Sequence, residues 1–300
     1  MLPELAYIHL MISPQRYSYR STVKSDVSDE LINTVLLRPA AGVLVRMLYP
    51  TAVTPNQVTI ASTIAGIVAA ALYLRGTASW TAAAGFLITL KDLLDSADGQ
   101  LARAKQMYSR TGRFLDSLGD FIVNIVVFAA IAFVLFRAGG NPAWFIMGAL
   151  GFLGITLRVS YHVFYQTSFL HLQRTYAVNR TTEEIREEDR LGDRTALTLQ
   201  RIFLLFYGWQ DVLILRLDGW CRTAIAGTEA NDRRWYSDTT GLRLSGFLGI
   251  GTELFLLMLF SLTDRLEWYL FVNVAGLNGL WAVCILYRRF VLAPALQRTG

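Results

Sequence analysis

Lysine, histidine and cysteine are scarce in this chain, and each scarcity closes a route. Lysine occurs only as Lys24, Lys91 and Lys105, so arginine carries nearly all the positive charge. In a polar protein the net charge of +5 would suit nucleic acid. Here 53% of residues are hydrophobic and 17% charged, so the charge fits loop arginines facing an anionic membrane surface, and no nucleic-acid partner is expected. Cys221 and Cys284 lack metal-ligand spacing and the three histidines do not cluster with them, which argues against a zinc-type site. Phosphate-binding glycine loops of the GxxxxGK[ST] and GxGxxG kinds are missing, as is any repeat of 20–50 residues. The opening LPELAYIHLMI has no basic leader and no small-residue cleavage site, so membrane targeting is expected from later segments.

What the chain does have is long apolar runs. They predict an all-α, polytopic membrane protein with six transmembrane helices. Residues 1–31, with Arg16, Arg20 and Lys24, read as a cytoplasmic segment. Residues 32–49 are broken by Arg38 and Arg46 and are too short to cross a bilayer, so an amphipathic interfacial helix is expected there. Thr54-Pro55 is a helix-entry signal. Spans follow at about 57–74, 80–103, 114–136, 142–169, 242–262 and 266–287. The resulting division is 1–55, 56–169, 170–241 and 242–300, with 170–241 a cytoplasmic insert. Within that insert, the apolar stretch 201–220 is interrupted by Gln210, Asp211 and Arg216, and is expected to lie in the interface or pack within the insert rather than span. The distribution of basic residues puts both termini and the insert in the cytoplasm.

One stretch carries chemistry: DSADGQLARAKQMYSRTGRFLDSLGD, residues 95–120. Asp95 and Asp98 share one helix face, and Asp116 and Asp120 share another. The short turn between them predicts two antiparallel neighbouring helices whose four carboxylates converge at the cytoplasmic end. Converging carboxylates repel unless cations join them. All-oxygen ligation favours one or two hard divalent ions, Mg²⁺ or Mn²⁺. Ions held this way can grip a pyrophosphate and stabilise in-line displacement. A carboxylate partly free of metal can take the proton of an attacking hydroxyl. Gly99 and Gly112 leave room for a bulky ligand, and Arg103 suits phosphate oxygens.

Asp95, Asp98, Gly99, Ala102, Arg103, Gly112, Asp116 and Asp120 resemble, without a gap, the signature D-x-x-D-G-x-x-A-R-x₈-G-x-x-x-D-x-x-x-D of the CDP-alcohol phosphotransferase family. The TPNQVT stretch before the first span is similar to the segment that precedes that family's first helix. The resemblance covers about residues 54–168 well. It implies six transmembrane helices after an interfacial helix, a homodimer, and a metal-dependent transfer. An alcohol attacks a CDP-linked lipid or alcohol, with CDP-diacylglycerol the expected donor, and CMP leaves. It further implies a two-metal site on Asp95, Asp98 and Asp116, with Asp120 as general base and shared ligand. Gly99, Ala102, Arg103 and Gly112 would line the CDP site. Members that use inositol phosphate commonly carry an arginine after the fourth aspartate. Phe121 stands there instead, which argues against that acceptor.

Two other classes are compatible with buried carboxylates. An intramembrane aspartate-rich prenyltransferase also holds pyrophosphate through metals, but lacks the DGxxAR element. A cation transporter more often scatters such residues near the midplane on broken helices. Outside the signature, Arg158 is a candidate contact for an anionic substrate group, weighed equally against a structural pairing. Asp92 is expected to balance Lys91 or face the cavity rim. Gly246, Gly249 and Gly251 are expected to serve close helix packing.

Overall fold

A computed structural model describes residues 18–19, 30, 32–173, 183–185, 187–223, 225 and 227–297. Most of the N-terminal segment expected at 1–31, including Arg16, Arg20 and Lys24, lies outside the described residues. So do 174–182 of the insert. Among the described residues, every regular element is helical.

After a π-helical turn at Asn33–Leu37, helix α1 (Arg38–Leu48) buries Ala41 and Val45 and turns Val43 and Met47 outward. Its 11 residues reach about 17 Å, well short of a bilayer. Helix α2 (Pro55–Tyr73) opens on a capping box: Gln57 N donates to Thr54 Oγ1 and Thr54 N donates to Gln57 Oε1. Helix α3 (Ala78–Lys105) ends at Gln106 in the left-handed region, φ 56°. Ser109 then caps helix α4 (Arg110–Gly139) by accepting from Gly112 N at 2.8 Å. Helix α5 (Ala143–Leu172) follows.

The second half holds short α6 (Glu187–Leu191), long α7 (Arg194–Arg222), α8 (Glu229–Tyr236), α9 (Thr239–Gly246) and α10 (Ile250–Leu262). The last helical stretch contains α11 (Leu266–Phe271), α12 (Asn278–Tyr287) and α13 (Ala293–Gln297), joined through π-helical turns.

Among the described residues, five helical stretches are long and apolar enough to cross a membrane: α2, α4, α5, the segment Glu229–Leu262 and the segment Leu266–Gln297. Helix α3 is missing from that set. Its 28 residues reach about 42 Å, but Lys91, Asp92, Asp95 and Asp98 charge its second half. The count of six therefore depends on α3, the helix that carries the site.

Packing gives the ends of these helices a common level. Thr59, near the start of α2, bonds Asp98, whereas Tyr73 at its far end meets Ser261 Oγ at 2.7 Å. The end of α10 and the start of α11 thus lie opposite the aspartates, and Arg289, just past α12, returns to the aspartate level. Helix α7 has both its ends at that level. Asp193 before it accepts from Thr111, and Trp220 O near its end accepts from Arg289 Nη1 at 2.9 Å. Its outer face exposes Ile202, Leu205, Trp209, Val212 and Trp220. Helix α7 is not among the stretches apolar enough to span.

Glycines bring the bundle close. A Cβ on Gly66 of α2 would meet Val123 of α4 at 2.5 Å, and one on Gly85 of α3 would meet Ser261 of α10 at 2.5 Å. Gly249 and Gly251 do something other than close helix packing. They admit the Glu30 carboxylate, which accepts from Gly251 N at 2.8 Å at the start of α10.

A buried polar network ties α5 to the last two spans. The fully buried Arg158 donates to Glu253 Oε2 at 2.8 Å, to Asn273 O at 3.1 Å and to Asn278 Oδ1. Tyr269 Oη donates to the other Glu253 oxygen at 2.7 Å. Glu253→Ala should therefore cost about 3–5 kcal/mol by stranding a buried guanidinium. Thermal unfolding in detergent should register that loss, and the double variant Arg158→Met/Glu253→Leu should recover most of it.

Candidate active site

The second half of α3 and the first turns of α4 deliver the carboxylates. Both helices pack along α2 and only slightly on each other. The gap between them has α2 as its floor. One oxygen each of Asp95, Asp98 and Asp116 lies within 4.8 Å of the others across that gap. Asp98 is buried and accepts a hydrogen bond from Thr59 of α2. Asp116 Oδ1 is buried with no hydrogen-bond partner.

Asp120 stands one turn beyond Asp116, and its carboxylate is taken by Lys91. The Lys91 ammonium also lies 3.5 Å from Asp95 Oδ1, one turn along its own helix. It therefore serves the first and fourth aspartates rather than balancing Asp92 alone. Asp92 is itself buried. In the sequence Lys91 reads first as the partner of Asp92, although its i, i+4 relation to Asp95 places those two on one face.

The glycines divide in function. A Cβ on Gly99 would meet only the Arg103 guanidinium, at 3.5–4.0 Å, so this side of α3 is open. On Gly112, a Cβ would strike Asn56 Oδ1 at 2.5 Å and Ser109 Oγ at 2.7 Å. Close approach of α4 to the start of α2 is thus a sufficient reason for glycine there, without a ligand. Arg158 has both Nη groups engaged in the network above, as its structural alternative required.

The insert forms one wall. Asp189 pairs with Arg110, Glu183 pairs with Arg113 at 2.9 Å, and Gln200 bridges Arg110, Glu183 and Asp189. Farther along α7, Tyr207 Oη donates to Ser117 O at 2.9 Å. Phe203 packs on Phe114, and Phe206 on Phe121 at 4.4 Å between ring centroids. Nothing local in the sequence signals this wall, because its contacts join positions 70–90 residues apart.

The site fits a hard cation. Its donors are all carboxylate oxygens, three of them already grouped, and one buried oxygen lacks any partner.

Comparisons with known proteins agree with this geometry. The sequence model of the CDP-alcohol phosphatidyltransferase family matches residues 52–226, and so takes in α7 as well as the aspartate helices. A "Bifunctional IPC transferase and DIPP synthase" of Thermococcus kodakarensis is 35% identical over 109 residues, 36% of this chain and 23% of the relative. A "Phosphatidylinositol phosphate synthase" of Streptomyces avermitilis is 38% identical over 110 residues, 36% of this chain and 41% of the relative. One of the same description from Cutibacterium acnes is 31% identical over 110 residues, 36% of this chain and 50% of the relative. The chain thus spans half or less of each relative's length.

Thr59 supports the Asp98 carboxylate from the α2 floor, so if Asp98 ligates a metal the loss of Thr59 should be felt there. Thr59→Val is expected to weaken Mn²⁺ binding roughly 10–100-fold, measured by calorimetric titration of the purified protein. Unchanged affinity would mean that Asp98 does not ligate.

Proposed function

Since the chain belongs to the CDP-alcohol phosphatidyltransferase family, we propose that it is an integral-membrane phosphotransferase of phospholipid synthesis. It joins an alcohol to the phosphatidyl group of CDP-diacylglycerol and releases CMP. The observation that carries this reading is the grouping of three carboxylate oxygens across the α3–α4 gap, with the fourth aspartate beside them.

Asp95, Asp98 and Asp116 would hold the divalent cation, Mg²⁺ or Mn²⁺. When bound, it offsets pyrophosphate charge and stabilises the leaving phosphate. Arg103, over the open side of Gly99, supplies a guanidinium for phosphate oxygens, and Ala102 and Gly99 leave the CDP moiety space. Asp120 accepts the proton of the acceptor hydroxyl as its oxygen attacks the phosphatidyl phosphorus. The new O–P bond forms as the bond to CMP breaks. Helix α7 walls the reacting groups with Phe203, Phe206 and Tyr207, which limits water as a competing acceptor. The basic turn beside the site, with Lys105, Arg110 and Arg113, supports a cytoplasmic location for this mouth. A homodimer, implied by the resemblance, belongs to the same proposal.

The test is a screen of purified protein with Mg²⁺ or Mn²⁺, reading CMP. It would pair CDP-diacylglycerol and soluble CDP-alcohols with alcohols that include inositol phosphate, glycerol phosphate and serine. CMP release only with CDP-diacylglycerol and an alcohol supports the reading, and no release from any pair defeats it. Asp120→Asn should slow turnover by about 10²–10⁴-fold while CDP-diacylglycerol still binds. An active Asp120→Asn protein would remove Asp120 as the base.

A further inference from the structure

The resemblance implies two metal ions, with Asp120 as a ligand shared between them. The structure gives Asp120 a different partner. Lys91 is 2% exposed, and its ammonium is bonded to Asp120 Oδ1 and lies 3.5 Å from Asp95 Oδ1. The root of this side chain is fixed, since Ser62 Oγ of α2 donates to Lys91 O at 2.9 Å. Lys91 therefore reaches from α3 across the gap to α4, starting from a backbone pinned to the floor.

Paired catalytic ions stand about 3.5–4 Å apart and share bridging carboxylates. A second ion here would bridge the first and fourth aspartates. That is where the Lys91 ammonium sits, and the three oxygens that do group are those of Asp95, Asp98 and Asp116. A second ion and the Lys91 ammonium cannot share that one place between Asp95 and Asp120 without strong repulsion. Resting on the proposed metal role of the aspartates, we infer that Lys91 is the second cation of this site. The chain holds one divalent ion, on Asp95, Asp98 and Asp116, and Lys91 positions Asp120.

Titration of the full-length protein in detergent with Mn²⁺, followed by electron paramagnetic resonance without substrate, tests this directly. The wild type should bind one ion per chain, with no sign of a coupled Mn²⁺ pair. Asp120→Asn should leave the count at one. In Lys91→Met, the vacated position between Asp95 and Asp120 should take a second ion, giving two per chain and a coupled-pair spectrum. Two ions in the wild type, or a change of count in Asp120→Asn, would overturn the inference. So would a folded Lys91→Met protein that still binds one ion. If Lys91→Met does not fold, the wild-type and Asp120→Asn counts decide the matter. Failure of the underlying reading looks different: a wild type that binds no Mn²⁺ defeats the metal role itself, whatever Lys91 does.

Discussion

Carboxylates buried among apolar helices are the constraint on which this structure turns. An ionised group moved out of water costs several kcal/mol even after relaxation, and Asp92, Asp95, Asp98, Asp116 and Asp120 crowd into one end of two helices. Each compensation is visible in the neighbouring elements. Thr59 of α2 donates to Asp98, and Lys91 of α3 bonds Asp120. Asp116 Oδ1 is left without a partner, which makes the cluster an acceptor for a cation rather than a finished polar network.

Helix α2 is the element that makes the gap possible. Through Gly66 it lets α4 approach closely, and through Ser62 it fixes the backbone of Lys91. The aspartate helices can then stand apart at the mouth without losing their support. Charge in this half of α3 gives it an interior place among α1, α2 and α10, which supply its contacts on several sides. A helix held in that way does not need the uniform apolar surface of the five stretches that qualify as spans.

Local pattern carried much of this into the sequence. The capping box at Thr54 and Gln57, the turn between α3 and α4 and the aspartate spacing all depend on residues within a few turns of each other. What escaped was long-range. Arg158 meets Glu253 across 95 positions, so a lone intramembrane arginine looked as suited to a substrate as to a partner. The α7 wall forms through Arg110–Asp189 and Tyr207–Ser117, pairs that no periodicity announces. Gly112 is legible as a required glycine, but its close approach to Asn56 and Ser109 is not. Lys91 is the exception, because its relation to Asp95 is local. Its adjacent Asp92 offers a competing partner, which masks the bridge from Asp95 to Asp120.

The same distinction explains why the reaction is easier to read than the acceptor. Phe121 occupies the place where members using inositol phosphate commonly carry arginine, and its ring is packed by Phe152, Phe206 and Tyr207. A phosphorylated acceptor would have to find its cation elsewhere. Arg110 and Arg113 are near, each paired with a carboxylate of the insert, but both guanidiniums are about two-fifths exposed. Exposed pairs of this kind are worth only about 0–1 kcal/mol, so a substrate phosphate could displace Asp189 or Glu183 at small cost. Phe121 by itself therefore does not exclude a phosphorylated acceptor. The choice rests on how firmly the insert holds those two arginines, a property set by Gln200 and the rest of the clasp rather than by the signature.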